Sequence, residues 1–286
     1  MSTVASTPAD AIRPSSLGST SLIYALGSIS HDFGSEARRD SIAENMEGNP
    51  GDPRALLKYL ESNPWDSASI IWTLDLDSVP IYALVPDGPY ASETYARMRR
   101  FLHEQITEGV ERVSIPAYAT SGSAMLLSGL TIPIIEPEIR GMASWTKKAL
   151  VEAVVGAKPG KSAPEADQEA FEAQVSGVGN FLDRVYFELR NLGMTSEERA
   201  INYSATNAFN VERAFESALK DNMELDSIEV ERSPICRPDS DCWDVKLVFF
   251  FPLREVQPVR KVFRFTVDVS DVVPVMVGGM RVWTIR

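Results

Sequence analysis

The chain has 286 residues and carries 28 Lys and Arg against 40 Asp and Glu, a formal net charge of −12 at pH 7. That length exceeds a typical domain of roughly 100 to 200 residues, so the core needs no staples. The acidic field repels phosphate backbones and anionic lipid, and no run approaches the ~20 apolar residues of a membrane span; neither nucleic acid nor membrane is an expected partner.

Residues 1–20 have neither the basic start nor the apolar stretch of a signal peptide and read as a flexible tail. Two cysteines in a chain without an export signal point to reduced thiols and cytoplasmic residence. Leu22 to Ile29 is a short apolar run bounded by polar residues and glycine, which predicts a strand. Ser35 then caps a helix carrying Ala37, Ile42 and Met46 up to Gly48-Asn-Pro50. Asp52 followed by Pro53 opens a second helix with Leu56, Leu57 and Leu60 on one face. Ile70 to Leu74 and Val79 to Val85 predict two strands joined through the polar turn Asp75 to Ser78.

Helical spacing of Tyr95, Met98, Leu102 and Gln105 predicts a helix over 90–108. Strands are expected at Val110 to Ile115 and Thr131 to Ile135, with Ser121-Gly-Ser123 and Ser128-Gly129 as turns. Trp145 to Val155 reads as a helix, and 157–167, rich in Pro, Gly and charge, as a linker. A helix through Phe181, Val185, Phe187 and Leu189 should end at Gly193. Thr195-Ser-Glu-Glu198 is a reciprocal capping box opening another helix, whose apolar stripe runs through Ile201, Ala205, Ala208, Phe215 and Leu219. Strands close the chain at 228–232, 243–251, 260–269 and 281–285, with Gly278-Gly279 as the turn before the last.

The expected architecture is α+β, antiparallel sheets covered by helices in two adjoining subdomains. Its divisions are a tail over 1–20, an N-terminal α+β domain over 21–143, a helix and linker over 144–167, and C-terminal helices with a sheet over 168–286.

The densest chemistry lies in Ser233 to Asp244, between two strands. Cys236 and Cys242 are separated by five residues rather than the two to four of a zinc knuckle, and no second Cys or His pair follows. They read as reduced thiols shaping the loop, as a metal contact with zinc the candidate, or as a disulfide under oxidation. Arg237, Asp239, Asp241 and Asp244 around Trp243 can form an internally paired loop or a surface that binds a peptide. Pro234 and Pro238 stiffen it either way. Elsewhere no catalytic set is complete. His31 has only Asp32 as a sequence neighbour, and His103 sits on a helix where a solvent-facing role is commoner. Asp75 with Asp77, and Asp268 with Asp271, read as turn or solvated carboxylates, and no phosphate-binding glycine loop is present.

Six blocks in order, Tyr24-Ala-Leu-Gly27, Asn63-Pro-Trp-Asp66, Glu108 to Pro116, Arg184 to Gly193, Ser233 to Asp244 and Phe265 to Asp271, resemble the C-terminal domain of unknown function of PatA/PatG-type cyanobactin maturation proteases. The resemblance spans nearly the whole chain after the tail and implies a part in making ribosomally encoded, modified peptides. The subtilisin-like protease that commonly precedes that domain has no room before Leu22, so protease or macrocyclase activity is not expected to carry over. The expected function is a noncatalytic binding or assembly module whose partner is a precursor peptide or a peptide-maturation enzyme. A tailoring enzyme using Cys236, Cys242 and nearby Asp residues, with or without zinc, and a homo-oligomeric structural domain are the alternatives.

Overall fold

The computed structural model describes residues 21–146, 155–156, 158–160, 164–183, 190–206, 223–251 and 259–285. The expected helix segment at 184–189, the stripe positions Ala208, Phe215 and Leu219, and most of the helix expected after Trp145 lie outside them.

The first half is built around β1 (Leu22–Asp32), which starts where the opening apolar run predicts a strand and continues past Ile29 to Asp32. Two capped helices follow. In α1 (Glu36–Ala43) the Ser35 hydroxyl accepts from the Arg38 N–H, and in α2 (Pro53–Ser62) the Asp52 carboxylate accepts from the Arg54 N–H. Each cap satisfies a helix-end donor that has no partner within the helix. A 3₁₀ turn at Pro64–Ser69 leads into β2 (Ile71–Leu76) and β3 (Val79–Leu84). Asp77 and Ser78 between them have φ of 49° and 66°, the left-handed pair whose twist suits a tight hairpin. Then come α3 (Ala91–Thr107), β4 (Arg112–Met125), β5 (Thr131–Pro137) and the short β6 (Ala143–Trp145).

The hydrogen-bonded order is β1-β2-β3-β5-β4-β6 with an added β1–β4 pairing, so five strands close into a barrel and β6 extends it from β4. Closure uses one parallel contact, Ala83 and Leu84 of β3 against Ile134 and Ile135 of β5. Strand order and the helix between β3 and β4 together give the topology of small Greek-key binding barrels, which by itself assigns no ligand. Ile23, Ala25, Trp72, Leu74, Tyr82, Val113 and Ile115 belong to its buried core, which Leu56, Leu60, Met98 and Phe101 of α2 and α3 join.

Three local expectations give way to tertiary context. Ser121-Gly-Ser123 is no turn but part of β4, at the register shift between Ala119 and Ser123 against β5. Trp145 is in a strand rather than a helix, because three residues of β6 pair with Arg112 to Ser114. Gly278-Gly279 lies inside the last strand, at an irregularity between Val277 and Arg281. The turn at Ser128-Gly129 is present, with Gly129 at φ 84° and its N–H on the Leu126 carbonyl.

The second half has α4 (Glu165–Asp183), α5 (Ser196–Thr206) and a four-stranded antiparallel sheet of β7 (Glu224–Arg232), β8 (Cys242–Phe250), β9 (Arg260–Asp268) and β10 (Val275–Ile285), ordered β10-β9-β8-β7. The Thr195 capping box forms as the spacing predicts: the Glu198 N–H donates to the Thr195 hydroxyl at 3.1 Å and the Thr195 N–H to the Glu198 carboxylate at 3.1 Å. One sheet face buries Val245, Leu247, Phe249, Phe263, Phe265 and Val267, and this cluster reaches Ala200 and Ala205 of α5 and Tyr24 and Leu26 of β1. Each fully buried aromatic there contributes about 1.5–3 kcal/mol. The two halves therefore keep separate cores joined through one strand: β1 turns Ile23 and Ala25 into the barrel and Tyr24 and Leu26 toward the C-terminal sheet.

Candidate functional site

The segment over 233–241 is the loop of the β7–β8 hairpin. Antiparallel pairing runs up to Arg232 opposite Trp243, and the Ser233 N–H then donates to the Cys242 carbonyl at 2.8 Å. Beyond that pair the loop leaves the sheet. Pro234 to Asp239 are exposed, with Ile235 56% exposed, an unusual position for a branched apolar side chain. Asp239 takes φ 70°, a left-handed conformation that Asp tolerates in turns, and the Ser240 N–H closes the turn on the Arg237 carbonyl.

The two thiols hold the loop's base. Cys236 Sγ accepts from the Cys242 N–H at 3.2 Å and donates to the Ser240 carbonyl at 3.0 Å. Cys236 is exposed, Cys242 buried, and both are free. Burial, the hydrogen bond to Cys236 and the neighbouring Asp268 charge push the Cys242 thiol up to about 12. A thiol held in that form is poorly disposed to act as nucleophile or ligand. Among the described residues no three His, Cys, Asp or Glu side chains converge as metal ligands.

The carboxylates separate in function. Asp241 anchors the loop inward: its Oδ2 accepts from the Ser196 hydroxyl, its Oδ1 from Trp243 Nε1 at 2.9 Å, and its carbonyl from the Val269 N–H at 2.8 Å. Asp244 is fully buried on the opposite face of β8, where Thr266 donates to Oδ1 at 2.6 Å and Arg264 Nη1 lies 3.1 Å from Oδ2. A buried carboxylate needs such pairing, and Asp244 serves the sheet rather than a ligand. Arg237 and Asp239 remain at the tip with no side-chain partner among the described residues. Of the predicted set, Cys236, Cys242, Asp241 and Trp243 come together at the base, Arg237 and Asp239 project, and Asp244 sits apart.

Behind the base lies a group that sequence reading passed over. β1 pairs with β4 over Leu22 to Gly27 and with β2 over Ser28 to Asp32, which among the described residues leaves no strand beside the first part of β1 on the β2 side. Residues around α5 fill that place. Arg199 Nη1 donates to the Leu22 carbonyl at 3.1 Å, Asn202 Nδ2 to the Tyr24 carbonyl at 2.8 Å, and the Tyr24 N–H donates to the Gly193 carbonyl at 2.9 Å. Arg199 also reaches the Val269 carbonyl at 2.7 Å, and burial lowers its pKa against the opposing pull of Asp241. Arg199 thus ties barrel, helix and sheet at the point where Ser196 holds Asp241. The available signal was the polar triplet Ser196, Arg199 and Asn202 at spacing three, one face of a helix.

Elsewhere, a cleft of about 320 Å³ lies between α1, α2 and the 3₁₀ turn, lined by Arg38, Ser41, Ile42, Asn45, Tyr59, Asp66 and Ser69. The Tyr59 hydroxyl donates to Asp66 Oδ2 at 2.5 Å, and this bond pushes the Tyr59 phenol up to about 12. His31 is outside it, with Nε2 3.4 Å from the Pro50 carbonyl and a pKa lowered by burial; His103 is exposed on α3. The imidazoles share no site. Asp75 is buried, accepts from the Thr73 hydroxyl at 2.7 Å and has a pKa raised by burial, whereas Asp77 faces Arg112 at 3.7 Å and Arg190 at 3.5 Å.

Residues 22–126 match the family described as PatG Domain, and residues 165–283 the family described as PatG C-terminal. A solved structure described as "PatG Domain of Unknown Function" is similar at 40% identity, with a TM-score of 0.82, covering 93% of this chain and 100% of that one. None of the curated proteins matches the chain. No described helix is long and apolar enough to cross a membrane. A shared fold, both family segments in order and that level of identity over nearly the full length place the chain in the PatG family of domains of unknown function.

Proposed function

We propose that this domain is a noncatalytic binding and assembly module in the maturation of a ribosomally synthesised, cyanobactin-like modified peptide, contacting a precursor peptide or a maturation enzyme in the cytoplasm. The observation that carries this reading is the division of the β7–β8 loop into a fixed base and an open tip. The base is locked by Cys236, Asp241 and Trp243, while Ile235, Arg237 and Asp239 stand exposed on it. A surface already held in shape loses little entropy on binding, and apolar, cationic and anionic groups side by side suit a polypeptide.

Tagged full-length protein is used for capture from its native cell, followed by mass spectrometry of proteins, peptides and metals. The expected result is a precursor peptide or maturation enzyme, with the peptide mass unchanged by incubation and capture weakened at least severalfold by Ile235→Asp with Arg237→Glu. A peptide mass shift that disappears in Cys236→Ala with Cys242→Ala identifies a tailoring enzyme instead. Capture of only further copies of the chain identifies a structural oligomer.

A further inference from the structure

The two edges of the C-terminal sheet are built differently. β7 at one edge has the sequence Glu-Leu-Asp-Ser-Ile-Glu-Val-Glu-Arg, four acids in nine residues, the charged edge that discourages pairing with another strand. β10 at the other pairs only with β9 among the described residues and carries one charge, Arg281, in eleven. Its last stretch leaves Val282, Trp283 and Ile285 37–48% exposed. Register fixes their faces. Arg281 lies opposite Arg264, Trp283 opposite Val262 and Ile285 opposite Arg260, so these three point to the sheet face away from α5. Apolar side chains along an edge that no described strand covers, beside a single basic residue, form a template for one more strand.

Charge selects the occupant. Four of the five charged residues on β9 and β10 are basic, in a chain of net charge −12. Arg264 is committed to Asp244 and stacks 6.0 Å over the Trp283 ring, and Arg260 is committed to Asp226. Arg281 has no partner among the described residues. A second copy is a poor occupant: two β10 edges bring together equal local positive charge on two strongly acidic molecules, and β10 on β7 is a head-to-tail contact without the two-fold self-complementarity of the commonest dimers.

We propose that the β10 edge over 281–285 docks an extended segment of a partner polypeptide, a fifth antiparallel strand that sets a carboxylate against Arg281 and apolar side chains against Trp283 and Ile285. The proposal rests on the binding-module reading and adds to it a surface distinct from the hairpin tip. Main-chain hydrogen bonds supply affinity, and the Arg281–carboxylate and Trp283–apolar pairs supply register.

The test uses the full chain with two capped peptides, acetyl-Thr-Val-Thr-Val-Thr-Glu-Thr-amide and its counterpart with Lys in place of Glu, read by residue-level hydrogen exchange and titration. The Glu peptide should slow exchange over 281–285 and bind about two- to fivefold more tightly than the Lys peptide, within the range of exposed ion pairs. Arg281→Ala should abolish that preference and Arg281→Glu reverse it. Absent protection of β10, protection at 234–240 instead, an unchanged preference in both variants, or peptide-independent protection that grows with protein concentration overturns the proposal. Native capture separates the two readings. Partners captured equally by wild type and Arg281→Glu leave the module reading standing without the edge, and peptide binding at β10 with no pathway component captured does the reverse.

Discussion

Arg199→Met is the most demanding perturbation of the tie between barrel and sheet. Methionine approximates the length and apolar stem of arginine, so the main loss is the guanidinium that serves the Leu22 and Val269 carbonyls. Leaving two acceptors without donors costs about 1–3 kcal/mol each, about 2–6 kcal/mol together. Relief from burying a charge returns part of that, and the net loss is about 2–4 kcal/mol. Set against the 5–15 kcal/mol typical of a domain, the change is large. Urea unfolding followed by tryptophan fluorescence should show the midpoint fall by about 1 M for a slope of roughly 2–3 kcal/mol/M. Arg199→Lys, which can reach one carbonyl but not both, should fall between. A midpoint change equivalent to less than about 0.5 kcal/mol in Arg199→Met would refute the assignment, since ordinary surface substitutions do as little.

Three further outcomes follow from the same geometry. Under native conditions an alkylating reagent should modify Cys236 and spare Cys242, because one thiol is exposed and the other buried and pushed up to about 12; equal labelling in intact-mass and peptide mapping contradicts the loop geometry. The Tyr59 phenol should titrate near 12 by ultraviolet difference absorbance, and a Tyr59→Phe subtraction that removes a transition near 10 argues against the Asp66 bond. Its folded pKa lies above the unfolded value of 10, so its stabilisation is complete below about pH 10 and is lost as pH rises toward 12, a slope that Tyr59→Phe should flatten. Gly193→Ala drives a Cβ into the Tyr24 carbonyl oxygen at a φ of 69°, and the left-handed conformation alone costs about 1–2 kcal/mol. Its melting temperature should fall by several degrees, and an unchanged one is incompatible with this contact.

The buried and exposed parts of the 233–244 segment answer to different neighbours. Asp241 and Trp243 face α5 and the core, Asp244 faces Arg264 and Thr266 on the other side of the sheet, and only the tip is free to meet another molecule. Alternation along β8 alone separates Trp243 from Asp244, as successive side chains in a strand point to opposite faces. A cluster that is continuous in sequence is thus divided in space. Binding hypotheses are best tested at Ile235, Arg237 and Asp239, and stability hypotheses at Asp241 and Asp244.

Local chemistry was enough to establish most of the elements and several of their ends. The caps at Ser35, Asp52 and Thr195, the alternation through β8 and β9, and the polar β2–β3 turn rest on hydrogen bonds and periodicities that span only a few residues. The α+β class and the cysteine-bracketed hairpin were legible for the same reason. Barrel closure was not, because the pairings of β1 with β4 and of β3 with β5 join residues distant in sequence and depend on which strand edges meet. The same limit hid Arg199, Asn202 and Gly193. Nothing near them in the chain reveals that part of β1 has no neighbouring strand among the described residues, and only the tertiary structure brings their donors and acceptors to it. The sequence therefore determined most of the strands and helices; assembly decided that Trp145 joins a strand and that two apparent turns lie inside strands, and which polar groups hold the protein together or stay free for a partner.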